Sequence, residues 1–81
     1  MELHELLEGV HDEASFLAFV RALLSDLRIN AASWESGSLE QFLESSLAWA
    51  ESTNLGATQG LASSSPWRRA ATYLYCGKIY E

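Results

Sequence analysis

With one cysteine, Cys76, the chain cannot form an intramolecular disulfide. A lone thiol without a framework of partners fits a reducing compartment, so the cytoplasm is the expected location. Basic side chains are also few. Five Lys and Arg stand against eleven Asp and Glu, a formal charge of −6. That balance argues against nucleic acid, whose phosphates require a basic face, and against an anionic membrane surface. No apolar run approaches the roughly 20 residues of a membrane span. The opening Met1-Glu2-Leu3-His4-Glu5 has neither the basic nor the apolar stretch of a secretory signal. The alternation that marks a half-buried strand is missing, as is any internal repeat. Two histidines, a single thiol and no glycine-rich loop leave little from which to build catalysis. An enzyme is therefore not expected, and no cofactor is implied.

What the chain does have is helical patterning. Its 81 residues are 48% hydrophobic, enough for one small domain and too apolar for a disordered tail. Leu3, Leu6 and Leu7 oppose Glu2, Glu5 and Glu8 over residues 2–8, with Gly9 as a stop. Asp12 is placed to cap a helix over 12–28. There Phe16, Leu17, Phe19, Val20, Leu23, Leu24 and Leu27 recur at helical spacing, and Arg21 and Arg28 fall on the polar flank. Ser38 and Gln41 form a capping-box pair before a helix over 39–52, whose apolar face reads as Leu39, Phe42, Leu43, Leu47 and Ala50 with Trp49 beside it. Residues 53–65 read as a mobile loop tethered by Leu55 and Leu61. Ser65 and Pro66 open a last helix over 66–77, with Trp67, Ala70, Ala71, Leu74 and Tyr75 along one side, Gly77 as its end and a docked tail beyond. The expected fold is all-α: a bundle of three main helices and a short N-terminal one, closing over one interior that takes up nearly all the bulky side chains.

The stretch Trp34-Glu35-Ser36-Gly37-Ser38-Leu39-Glu40, continuing to Phe42-Leu43-Glu44 and Trp49, resembles a family of small bacterial proteins of unknown function. Pro66-Trp67, the ending Lys78-Ile79-Tyr80-Glu81 and the helix over 16–23 agree with that family's landmarks. The likeness spans most of the chain apart from the first residues and the 53–65 loop, and it departs at Ser36, where the pattern has Asn. It implies a small, helical, bacterial protein and supplies no activity.

Four constellations bear on chemistry. Trp34, Trp49 and Trp67 suit either an aromatic contact surface or anchors that dock helix ends into a scarce core. Trp34, with Glu35, is the candidate for contact with a partner because it sits in a connection rather than a helix. Ser65, Arg68 and Arg69 combine a helix N-terminus with guanidiniums, the parts of a small-anion site. The simpler reading pairs these arginines with Glu35 or Glu51. His4, Glu8 and His11 have metal-ligand spacing on a continuous helix, but Gly9 interrupts it, and no metal site is expected. Cys76 lacks a base and an oxyanion hole and reads as a buried thiol. The functional expectation is a cytoplasmic protein–protein interaction module with an acidic surface. Its partner would be another protein or a second copy in a homodimer, with neither nucleic acid nor membrane. The alternatives are a small-anion binder at the start of the last helix and a self-associating structural protein without a ligand.

Overall fold

A computed structural model describes residues 2–34, 38–61 and 63–79 of the chain. Among the described residues there are four α-helices and no strand: α1 (Leu3–Glu8), α2 (Glu13–Ile29), α3 (Leu39–Thr53) and α4 (Pro66–Ile79), with 3-10 turns at Ala31–Ser33 and Ala57–Gln59. The all-α bundle with a short leading helix is therefore observed. The expected contact residue Glu35, the turn at Ser36 and Gly37, and the end of the tail at Tyr80 and Glu81 lie outside the described residues. No helix among the described residues is long and apolar enough to cross a membrane.

The helix starts follow local chemistry. The Asp12 carboxylate accepts from the Ser15 amide at 2.9 Å while the Ser15 hydroxyl accepts from the Asp12 amide at 3.1 Å. Two otherwise unpaired donors of the first turn are thus satisfied reciprocally. The Ser15 hydroxyl also donates to Asp12 Oδ1 at 2.6 Å, and this bond, followed by that of the Ser15 amide, holds the Asp12 carboxyl below the usual carboxylate range. Ser38 Oγ accepts from the Gln41 amide at 3.2 Å, and Ser65 Oγ from the Arg68 amide at 3.2 Å, with Pro66 at the first helical position.

The ends depart from expectation at two glycines. Gly9 closes α1 in ordinary right-handed geometry, with φ −89°, so its glycine character is not what stops the helix. Gly77 does not end α4, which runs on to Ile79. Instead it lies against α3: a Cβ there would sit 2.5 Å from Ser46 Oγ and 2.6 Å from Phe42 Cε2. The glycine is a point of close approach.

Helix α4 is the centre of the arrangement. Both α3 and α2 pack on it, and α1 bridges α2 and α4, whereas α2 and α3 have no Cα pair within 8 Å among the described residues. The molecule is flattened, with Cα extents of 33 × 27 × 16 Å; its short dimension is that of two packed helix layers, since Cα atoms lie about 2.3 Å from a helix axis and packed axes are about 8–10 Å apart. Leu7, Val10, Phe19, Leu23 and Ala71 form the main core, with Leu3, Leu6, Phe16, Trp34, Leu74 and Tyr75 packed around it. Trp49 is buried apart from that cluster, near the α3–α4 loop.

The packing departs from expectation in two ways. The leucine stripe of α3 does not face inward. Ser46, Trp49 and Thr53 are buried with Phe42 beside them, while Leu39, Leu43 and Leu47 are exposed. The polar members of the inner stripe are satisfied: Ser46 donates to the Tyr73 carbonyl at 2.9 Å, and Thr53 donates to the Trp49 carbonyl at 2.6 Å and accepts from the Gly56 amide at 2.9 Å. A hydroxyl that fits opposite Gly77 and finds an acceptor costs little to bury, and Trp49 brings more apolar area than any leucine. These terms set the rotation of α3. Nor are nearly all the bulky side chains enclosed: among the described residues ten large apolar side chains are exposed, three of them on this face of α3.

Residues 54–61 are organised by hydrogen bonds. Asn54 and Leu55 both take left-handed backbone conformations at φ 52°, and Arg69 donates to their carbonyls, from Nη2 to Asn54 and from Nε to Leu55, each at 3.0 Å. The Trp49 indole N–H donates to Gln59 Oε1 at 2.9 Å. Gly56, at φ +87°, lies against Leu61 and Trp49. Leu61 is thus a tether of the loop, as expected, while Leu55 is exposed.

Candidate functional site

Because α2 and α3 both pack on α4 with no Cα pair within 8 Å between them among the described residues, a groove opens between them. It is a cleft of about 430 Å³ lined by Leu23, Leu24, Leu27, Trp34, Ser38, Leu39 and Phe42. Every lining residue except Ser38 is apolar. On the α2 side Leu24 and Leu27 are each more than two-fifths exposed, as is Leu17 two turns earlier. On the α3 side Leu39 is 74% exposed, and Leu43 and Leu47 are about half exposed. Leu39, Leu43 and Leu47 recur every fourth residue, so they form one ridge along the helix. Covering such a side chain fully is worth about 1.5–3 kcal/mol, and this fold leaves that stabilisation unused at several neighbouring positions.

The inner end of the groove is closed by Trp34, which rises from the turn between α2 and α3. Its ring stacks on Phe42 of α3, with centroids 6.1 Å apart and planes at 24°. Its indole N–H donates to Asp26 Oδ2 at 2.8 Å. The same oxygen receives the Lys78 ammonium at 2.8 Å, which also lies 5.8 Å from the centre of the Trp34 ring. Asn30 donates to the other carboxylate oxygen at 3.1 Å. Asp26 therefore ties α2, the α2–α3 turn and α4 together. The Lys78 hydrogen bond, followed by those of Asn30 and Trp34, holds its carboxyl below the usual carboxylate range. Of the predicted contact residues, Trp34 lines the groove, while Glu35 lies outside the described residues. Asp26 and Lys78 were not among the sequence candidates. The available signal was a carboxylate between Leu23 and Leu27, within the apolar stripe of α2, and a single lysine in the whole chain.

Charge around the groove is divided by helix. On α2 the exposed Arg21 and Arg28 are three and four residues from Leu24 and so neighbour it on the surface. On α3 the exposed Glu40 precedes Leu43 by three residues, Glu44 precedes Leu47 by three, and Glu51 follows Leu47 by four. One bank is thus basic and the other acidic.

The remaining candidates are dispersed. Trp49 is buried and Trp67 is partly exposed, tilted against Phe16 with ring centroids 5.6 Å apart. Of the proposed anion ligands, Ser65 Oγ caps the Arg68 amide and Arg69 binds the Asn54 and Leu55 carbonyls, so both serve the fold itself. Neither arginine forms an ion pair with Glu51 among the described residues. Arg68 Nε is enclosed with no acceptor among the described residues. Helix α1 ends at Glu8, so His4, Glu8 and His11 do not share one continuous helical face. His11 instead lies with Nδ1 2.8 Å from the Gly9 carbonyl and Nε2 3.5 Å from Asp12. Cys76 is buried, as expected, and desolvation pushes its thiol up to about 11.

No curated protein and no solved structure matches this chain. Residues 12–81, everything beyond α1 and the turn that follows it, match the Family of unknown function (DUF7660). The chain belongs to that family.

Proposed function

We propose that this chain is a small bacterial, cytoplasmic protein–protein interaction module whose working face is the groove between α2 and α3, with acids along the α3 bank. The observation that carries this reading is the rotation of α3: Trp49, Ser46 and Thr53 occupy the interior while Leu39, Leu43 and Leu47 are displayed beside a cleft of about 430 Å³. Contiguous apolar surface of this kind, rimmed by charge, is what a docking face offers. Among the described residues the lining is apolar but for Ser38, whose hydroxyl caps α3, and such a lining favours binding over catalysis.

Photo-crosslinking in the native cell tests the proposal. A crosslinking residue at Leu39 captures a specific protein, whether another protein or the same chain, while one at the exposed Ser52 captures none. Adducts absent at Leu39, or equal at the two positions, would refute the groove as the working face.

A further inference from the structure

We infer that the occupant of the groove is a second copy of this chain, related by a two-fold axis that lays α2 of each copy on α3 of the other. This rests on the reading of the α2–α3 groove as an interaction face and adds the identity and orientation of what covers it. Three features lead there. The apolar ridges are doubled: α2 presents Leu17, Leu24 and Leu27 and α3 presents Leu39, Leu43 and Leu47, so each helix can supply a ridge as well as a wall. The banks have opposite sign, Arg21 and Arg28 on α2 against Glu40, Glu44 and Glu51 on α3. Each of the two helices packs on α4, and no Cα pair within 8 Å joins them among the described residues.

Charge complementarity then selects the occupant and its orientation. A uniformly basic partner would satisfy the α3 acids and place its own charges against Arg21 and Arg28. A uniformly acidic one would fail at α3. A second copy turned about an axis running along the groove brings its α3 over this α2 and its α2 over this α3. Arginines then meet glutamates on both sides of the axis at once. The alternative two-fold, with α2 on α2 and α3 on α3, sets like charges opposite one another and is disfavoured. Such an isologous contact closes on itself and stops at two copies. The other acid on this side of α2, Glu13, lies at its first turn, a full turn before Leu17 and away from the groove. The overall charge of −6 on each copy opposes association at long range. That repulsion is largely screened beyond about 8 Å at physiological salt, while the apolar contact and the facing rims act at short range.

The test uses the intact chain and two variants altered only at exposed positions: Arg21→Glu with Arg28→Glu, and Glu40→Arg with Glu44→Arg. Sedimentation equilibrium over a wide concentration series should find the unaltered chain as a dimer that dissociates reversibly on dilution. Each double variant alone carries mainly like charges on both banks, Glu51 apart, and should associate many-fold more weakly while keeping its helical circular dichroism. Mixed in equal amounts, the two should form a dimer again, since each then offers the bank that the other needs. A dimer whose strength neither variant changes would overturn the α2-on-α3 arrangement. A chain that stays monomeric throughout the series would overturn the second copy as occupant. In that case the interaction reading survives if crosslinking at Leu39 in cells captures a different protein, and fails if it captures nothing.

Discussion

At the scale of single residues, Gly77 and Gly9 separate two uses of glycine that look alike in sequence. Gly77 lies where a methyl group would intrude on Ser46 and Phe42. A forced shift of that kind costs roughly 1–3 kcal/mol, and Gly77→Ala should lower the thermal midpoint accordingly. At Gly9 the backbone is right-handed and a Cβ would be 3.6 Å from the Leu6 carbonyl, an ordinary contact. Gly9→Ala should therefore leave stability unchanged or raise it by up to about 1 kcal/mol, through loss of unfolded-state freedom. Parallel thermal melts of the two variants check this, and equal destabilisation of both would contradict the assigned roles. Neither role follows from spacing. A glycine near the end of an apolar stripe fits a helix stop and a helix crossing equally well, and only the neighbour across the interface distinguishes them.

At the scale of elements, the α3–α4 connection shows how a polar loop is held. Asn54 and Leu55 adopt a conformation that disfavours a Cβ, and for leucine in particular this is strained. The Arg69 guanidinium, reaching across from α4, binds both of their carbonyls. Arg69→Ala should thus free the turn and destabilise the fold by about 1–2 kcal/mol, through lost hydrogen bonds to a charged donor. Amide exchange at residues 55–57 should rise more than exchange at the centre of α2. If exchange rises uniformly, the arginine is not a local clamp. The sequence marked Arg69 as a charge near a helix start, where the dipole disfavours it. Its partner proved to be backbone carbonyl rather than carboxylate, and no pattern of residue types reports which carbonyls a loop will present.

At the scale of the whole molecule, α2, the α2–α3 turn and α4 are joined by Trp34, Asp26 and Lys78. This junction has a pH signature. The folded Asp26 carboxyl is held below its ordinary value of 3.8, so near and below that pH the unfolded chain binds the proton more readily than the folded one. Stability from this group is then complete above about pH 4 to 5 and is lost as pH falls through the folded value. Asp26→Asn should be less stable than the unaltered chain near neutrality, and the gap should narrow as the pH is lowered past 3.8. Urea unfolding of both proteins across that range measures it, and a gap independent of pH would show that the carboxylate does not titrate as described.

The amino-acid sequence by itself determined which segments are helices, where most of them begin, and the family likeness. These depend on neighbours a few residues apart: caps, periodicity and the placing of Pro66 all act within a turn or two. What only the tertiary structure decided is which side of each helix faces in. In α3 a leucine stripe and a Phe42–Ser46–Trp49–Thr53 stripe compete for the interior. The second wins because Gly77 admits Ser46 closely, Tyr73 offers its carbonyl and the far loop encloses Trp49. Those partners are 10 or more residues away along the chain, so the groove, formed from what the winning stripe turned outward, could not be read from periodicity.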